Sequence, residues 1–323
     1  MKPYVYIAHP IPEHVESYIA EHCDYNIWND SNEKIPKERL KEELKNADGA
    51  MLTGQPVDEE LLAATENLKA VSTVSVGYDR YDIDALKKYN VYGTHTPYVL
   101  DDTVADLIFG LILSGGRRIA ELHEYVKAGE WGVEPDSAFY GYDIHHSTLG
   151  IIGMGRIGEK IVQRARFGFE MDIVYHNRSR KPELEETFDA VRLELNELLS
   201  RADFVVVMVP LTDETKQLIG EEELRLMKSS AVLINGARGP VVDENALVAA
   251  LQEKSIFSAS LDVFEQEPLP KDHPLLDLPN VTLTPHIGSA TQKTDEEMMM
   301  RAAVNMVEGA SGQTPQDVIK EQR

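Results

Sequence analysis

Cysteine is nearly missing from this 323-residue chain: Cys23 stands alone. An intrachain disulfide and a cysteine-rich metal site are thereby excluded. A lone cysteine most often serves as a small hydrophobe, so no reactive-thiol role is expected. Positive charge is also scarce, with 32 Lys and Arg against 55 Asp and Glu and a formal net charge of −23. That balance argues against nucleic acid or an acidic membrane surface as partner. The acid excess fits either solubility or salt tolerance. Long apolar runs are missing too. The opening stretch Met1-Lys2-Pro3-Tyr4-Val5-Tyr6-Ile7 is too short in its apolar part for a signal peptide, and no segment approaches a membrane span. The expected location is cytoplasmic.

What is present begins with length. A chain of this size exceeds one ordinary core, and two domains are expected. Its centre is Thr148-Leu149-Gly150-Ile151-Ile152-Gly153-Met154-Gly155-Arg156-Ile157-Gly158. The apolar residues around Gly150 read as a buried strand, and the run to Phe167 as a helix. Between them Gly153, Gly155 and Gly158 form G-x-G-x-x-G. Gly153 serves the tight turn, Gly155 a close approach to a pyrophosphate, and Gly158 the packing of helix on strand. Phosphates then sit at the helix N-terminus, beside Arg156 and Ile157, where free N–H groups and the helix dipole favour anions. A glycine-rich turn without ligand is the plain alternative; the flanking strand and helix weigh against it.

On both sides of this motif strand and helix signals alternate. Apolar runs at Tyr4–Ala8, Tyr25–Trp28, Gly49–Thr53, Leu68–Val74 and Val91–Thr94 are separated by helix-like segments. No glycine fingerprint follows the first strand, where Ala8-His9-Pro10 stands. A long apolar helix over Asp101–Ala120, capped by Asp102 or Thr103, leads onward, and Ala128–Ser147 reads as a surface segment. Further strands are expected at Leu149–Ile152, Met171–Tyr175, Phe204–Val209, Ala231–Asn235, Ser258–Asp262 and Val281–Leu283. The helical run Thr291–Glu308 has no place in that second sheet and is expected to return to the first domain. The fold class is α/β, with two doubly wound parallel-sheet domains. One is a flavodoxin-like substrate domain (1–99 and 287–323), the other a Rossmann-type cofactor domain (100–286).

The strand after the fingerprint ends in Tyr175-His176-Asn177-Arg178-Ser179-Arg180. An NAD-preferring site places an acid here for the ribose hydroxyls. None is present. Arg178 and Arg180, with Ser179, suit a 2′-phosphate instead, although two loop arginines also read as solvated surface; with Asn177 they are taken as cofactor contacts, so NADP(H) is favoured and NAD(H) stays open. Three later segments each follow a strand: Asn235-Gly236-Ala237-Arg238-Gly239-Pro240, Leu261-Asp262-Val263-Phe264-Glu265-Gln266-Glu267-Pro268, and Thr284-Pro285-His286-Ile287-Gly288-Ser289-Ala290. Ligands of open α/β sheets bind outside the carboxyl ends of strands. An arginine can hold a carboxylate or carbonyl oxygen, a histidine can deliver a proton near neutrality, and a carboxylate beside it fixes the ring. Taken singly, Arg238 also reads as a surface cation, Glu267 as an exposed acid and His286 as a core or capping histidine. Their order after a dinucleotide fingerprint favours the chemical reading.

These four motifs together resemble the D-isomer-specific 2-hydroxyacid dehydrogenases over nearly the whole chain, most closely the bacterial glyoxylate, hydroxypyruvate and 2-ketogluconate reductases. The resemblance implies reduction of a 2-keto acid to the D-2-hydroxy acid (glycolate from glyoxylate), with hydride from the nicotinamide and the proton from His286. It makes Arg238, Glu267 and His286 the catalytic set, with Arg238 and His286 also touching substrate. Val76 and Gly77 match the loop whose amides hold the substrate carboxylate, and Thr53 lies in the segment that shapes substrate choice. Thr103, Pro210, Ala237, Asp262 and Gly288 join the cofactor contacts. The family forms homodimers through the cofactor domain, and Trp131 and Tyr140 lie in the segment that reaches across. Two departures stand out: His145-His146-Ser147 where a Gly-Lys is frequent, and the strand end without its Asp. No metal is expected. The competing class is a nucleotide-sensing corepressor on the same fold, disfavoured by the absence of interaction tails and basic patches.

Overall fold

Runs such as Gly49-Ala50-Met51-Leu52 and Phe204-Val205-Val206-Val207 are buried at every position, as strands covered by helices on both faces must be. The computed structural model describes residues 1–30, 33–133 and 135–323. They form two compact units, Met1–Leu100 with Ser289–Arg323, and Asp101–Gly288.

In the first unit β1 (Tyr4–Ile7), α1 (Glu13–His22), β2 (Asp24–Ile27), α2 (Lys37–Leu44), β3 (Gly49–Leu52), α3 (Glu59–Ala63), β4 (Ala70–Thr73), α4 (Ile83–Lys88) and β5 (Tyr92–Thr94) alternate strictly. The strands pair in parallel in the order β2-β1-β3-β4-β5, the flavodoxin-like arrangement. The segment Gln292–Ala310, the last helix of the chain, covers one face of this sheet. Its Ala302, Ala303, Met306 and Ala310 pack with Val5, Ile7, Ile19 and Met51. Met298 is buried, and Met299 and Met300 lean on the same core, so the methionine run serves packing. Cys23 lies in this cluster, where burial pushes its thiol up to about 11.

Just past β1, His9 is buried. Its Nδ1 lies 2.9 Å from the Pro10 carbonyl, while Nε2 has no partner among the described residues. Burial lowers its pKa, against the Pro10 hydrogen bond and the Asp295 charge. The unfolded chain therefore binds a proton here before the folded chain does. Stability is complete above the ordinary histidine value of about 6.5 and declines as pH falls through it, by at most about 1.4 kcal/mol per pH unit. Thermal melts between neutral and mildly acidic pH are expected to show this decline, and His9→Asn to flatten it. An unchanged slope in the variant would refute this account.

The second unit holds α5 (Asp101–Arg117), α6 (Ile119–Lys127), β6 (Thr148–Ile152), α7 (Arg156–Phe169), β7 (Asp172–His176), α8 (Pro182–Phe188), β8 (Val191–Arg192), α9 (Leu195–Arg201), β9 (Phe204–Val207), α10 (Glu221–Leu226), β10 (Val232–Asn235), α11 (Glu244–Gln252), β11 (Ser258–Leu261) and β12 (Val281–Leu283); α12 is the Gln292–Ala310 helix already described. All strands pair in parallel in the order β12-β11-β10-β9-β6-β7-β8. The order reverses between β6 and β9, the switch point of a Rossmann sheet.

Two expectations need correction. The helix expected to run unbroken to Ala120 stops at Arg117. Arg118 takes φ +56° and α6 starts anew, with the Arg118 guanidinium tied to Glu121 and to the Ala138 carbonyl. Nor is Asp102 or Thr103 a cap: the helix opens at Asp101, and they are its second and third residues. The sequence reading also missed α8 and β8. Pro182 followed by Glu183 and Glu185 in the first turn was the available signal for α8. Among the described residues no helix is long and apolar enough to cross a membrane, and no His, Cys, Asp and Glu group could hold a metal ion.

Candidate active site

The carboxyl end of β6 turns sharply into α7. Gly153 takes φ +101°, and a Cβ there would lie 2.5 Å from the Met208 carbonyl oxygen, so only glycine fits. A Cβ on Gly158 would meet the Gly153 carbonyl oxygen at 2.5 Å, whereas one on Gly155 would point into open space. Gly155 is also the N-cap of α7 and offers no side-chain cap. No side chain at the N-cap competes for the first-turn N–H groups, the arrangement that receives a phosphate. Arg156, at the first helical position, donates to Asp101 Oδ2 at 3.1 Å. The cradle therefore fits the pyrophosphate of a dinucleotide.

At the end of β7 the side chain of Asn177 closes onto this loop. Its Oδ1 accepts the Met154 N–H at 2.7 Å and its Nδ2 donates to the Met154 carbonyl at 3.1 Å. Arg178 is 83% exposed and lies 3.6 Å from Glu214. Ser179 is exposed as well. Arg180 is held differently, donating to both oxygens of Glu185 at 2.8 and 3.0 Å, and with Tyr175 it draws the Glu185 carboxyl below its ordinary value. Arg192, which the sequence reading missed, donates twice to the Asn177 carbonyl, at 3.3 and 3.1 Å. Its only signal was an arginine in the next, very short strand.

The second group gathers beyond β10, β11 and β12. After β10, Asn235 folds the turn: its Oδ1 accepts the Ala237 N–H and its Nδ2 donates to the Arg238 carbonyl, both at 3.1 Å. The half-buried Arg238 side chain donates to the Ala237 carbonyl at 2.8 Å. Next to it Gly239 lies so close to the loop after β11 that a Cβ would run into the Phe264 carbonyl carbon. Arg238 and the Glu267 loop are thus packed backbone to backbone.

Asp262, almost fully buried at the end of β11, holds the turn after β12 with one carboxylate. Oδ1 accepts from Thr284 Oγ1 at 2.6 Å and from the Ile287 N–H at 2.8 Å; Oδ2 accepts from the Gly288 N–H at 2.8 Å. This clamp accounts for His286, which sits at φ +54°, a region a side-chain-bearing residue occupies at some cost. His286 Nδ1 then lies 2.8 Å from Glu267 Oε2, while Glu267 Oε1 accepts the Phe264 N–H at 3.1 Å. A carboxylate facing Nδ1 takes the hydrogen there and leaves Nε2 for chemistry. The imidazole is about half exposed, so a reacting group can reach it.

The remaining residues singled out from the sequence are spread over both units. Thr103 is half-buried in α5, and Pro210 follows β9, its carbonyl accepting from Thr215 Oγ1 at 2.6 Å. Thr53, Val76 and Gly77 belong to the first unit, beyond the carboxyl ends of β3 and β4. The Thr53 N–H is taken by Gln55 Oε1 at 2.7 Å, and the Val76 carbonyl lies 3.0 Å from His95 Nδ1.

Residues 109–288 match the family model described as D-isomer specific 2-hydroxyacid dehydrogenase, NAD binding domain. The chain is 46% identical to glyoxylate/hydroxypyruvate reductase B of Escherichia fergusonii, over 100% of this chain and 99% of that protein. Among solved structures, a Thermus thermophilus protein superposes with TM-score 0.90 at 37% identity, covering 98% of this chain and 99% of that one. An NADPH-dependent glyoxylate/hydroxypyruvate reductase from Sinorhizobium meliloti, solved with NADP and malonate, gives TM-score 0.87 at 29% identity over 99% and 98%.

Proposed function

The chain belongs to the D-isomer-specific 2-hydroxyacid dehydrogenases, and from that premise we propose that it is an NADPH-preferring reductase of glyoxylate and hydroxypyruvate. The observation that carries this reading is the 2.8 Å contact between His286 and Glu267, in the same unit as a glycine cradle made for a dinucleotide. The second unit is the cofactor domain and the first the substrate domain. Gly153, Gly155, Arg156, Ile157 and Gly158 hold the pyrophosphate, and Arg178 and Ser179 meet a 2′-phosphate. Thr103, Pro210 and Ala237 line the remainder. Asp262 and Gly288 act from the side, through the clamp on the histidine turn.

When bound, the reduced nicotinamide supplies the hydride for the keto carbon. The protein does the rest. The Arg238 guanidinium holds the substrate carboxylate and steadies the carbonyl oxygen as charge builds on it, and in the first unit Val76 and Gly77 are proposed as substrate contacts through their amides. His286 gives the proton from Nε2 to that oxygen, while Glu267 keeps the ring oriented through Nδ1 and balances the imidazolium before transfer. Thr53 borders the substrate's far end and bears on the choice among glyoxylate, hydroxypyruvate and 2-ketogluconate.

The proposed assembly is a homodimer in the cytoplasm. In the second unit α6 has no buried residue, and the following segment exposes Trp131, Val133, Tyr140 and Tyr142. Apolar side chains so grouped mark an interaction face, and a second copy of the chain is the proposed occupant.

Following NADPH and NADH absorbance with glyoxylate, hydroxypyruvate, 2-ketogluconate and pyruvate tests the reading. The expected result is turnover of the first two, with kcat/KM at least about tenfold higher for NADPH than for NADH. Silence with all four acids would overturn the enzymatic reading, and NADH preference would overturn the roles given to Arg178 and Ser179.

A further inference from the structure

Behind the Glu267 loop lies a charged group that the reaction above leaves unused. Glu244, the first residue of α11, is only 7% exposed, an uncommon place for a carboxylate. Its Oε1 accepts the Glu265 N–H at 2.5 Å, and its Oε2 faces His273 Nε2 at 3.4 Å. His273 Nδ1 in turn accepts the Leu275 N–H at 3.3 Å. An acceptor nitrogen carries no hydrogen, so the ring proton sits on Nε2, toward Glu244.

The consequence is a loop gripped at consecutive amides. The Phe264 N–H goes to Glu267 Oε1 and the Glu265 N–H to Glu244 Oε1. From Leu275 the contacts run through His273 and Glu244 to the Glu265 amide; the adjoining Phe264 amide then meets Glu267, and Glu267 meets His286. Burial raises the Glu244 carboxyl above its ordinary value; the Glu265 amide and His273 oppose this, and the charges of Glu265 and Glu267 add to it. Of the three acids at this loop Glu244 alone is buried, an unfavourable way to fill space, since an apolar side chain packs there without the desolvation cost.

We propose that Glu244 and His273 are a positioning pair for proton transfer, fixing the Glu265 amide and with it the orientation in which Glu267 meets His286. The inference rests on reading His286 and Glu267 as the acid–base pair.

The test compares Glu244→Ala, Glu244→Gln and His273→Ala with the wild-type enzyme. Five quantities are read: kcat, KM, the NADPH Kd by fluorescence, Tm, and the low-field proton resonance of His286 Nδ1–H, identified by its loss in His286→Asn. Glu244→Ala is expected to lower kcat about 10- to 100-fold, because a misplaced catalytic group costs that much, and to shift or broaden the resonance. KM and the NADPH Kd should stay within about twofold. Glu244→Gln keeps an oxygen for the Glu265 amide but turns its NH2 toward His273 Nε2–H, so kcat and the resonance should return in part. His273→Ala should move both in the same direction as Glu244→Ala. Wild-type kcat with an unmoved resonance in Glu244→Ala would overturn the inference. So would Glu244→Gln as impaired as Glu244→Ala with an equal drop in Tm, which would mark a merely structural role. A wild-type enzyme silent on every keto acid would refute the functional reading, and the resonance alone would then decide whether Glu244 sets the Glu267–His286 geometry.

Discussion

His286→Asn is expected to lower kcat/KM for keto-acid reduction about a thousandfold and to leave NADPH binding unchanged. The size follows from the loss of a general acid, typically 10²- to 10⁴-fold; a thousandfold is about 4 kcal/mol of transition-state stabilisation. Asparagine is the informative replacement. Residue 286 sits at φ +54°, where asparagine is among the side chains that settle most readily. The Asp262 clamp on the Ile287 and Gly288 amides therefore stays intact, and the change removes the proton donor alone. Stopped-flow reduction of glyoxylate, set beside NADPH fluorescence titration, reads the two effects separately. A variant within about tenfold of wild type would remove His286 from the mechanism.

Arg238→Ala is the second large effect. Its guanidinium is assigned both the substrate carboxylate and the oxygen on which charge develops, so KM rises and kcat falls together. The expected combined loss in kcat/KM is about 10²- to 10³-fold. The backbone tolerates the change because Arg238 is extended, with φ −147° and ψ 143°. Arg238→Lys restores charge without the planar fork and should recover only part of the loss. Malonate, a dicarboxylate, is a suitable competitive probe: its inhibition should weaken in Arg238→Ala, and undiminished inhibition would refute the carboxylate contact.

Much of this site is legible in the chain because its chemistry sits directly after strands. Glycine spacing at 153, 155 and 158 encodes a turn that the backbone confirms through the φ of Gly153 and the close approaches at Gly153 and Gly158. The buried runs fix the parallel sheets, and the segment after β12 carries its histidine where a ligand of an open sheet must lie. What remained hidden depends on contacts between residues far apart in sequence. Nothing in Asn177 announces that its amide locks onto Met154, and nothing in Arg192 announces a bond to the Asn177 carbonyl. Glu244 reads as one acid among 55 until the fold buries it behind Glu265. The break at Arg118 is of the same kind. Local propensity favours one helix, but Gly115 lies close against Val232 and Ser260, and Arg118 reaches the Ala138 carbonyl, twenty residues on.

The contact at Gly239 has a bearing on how such a chain can diversify. With no room for a single methyl group between that residue and Phe264, the arginine-bearing turn and the glutamate-bearing loop behave as one welded part, and a change of shape in either is felt by both. Adaptation to a new keto acid is thereby left to residues outside this welded part, the proposed substrate contacts Thr53, Val76 and Gly77 among them.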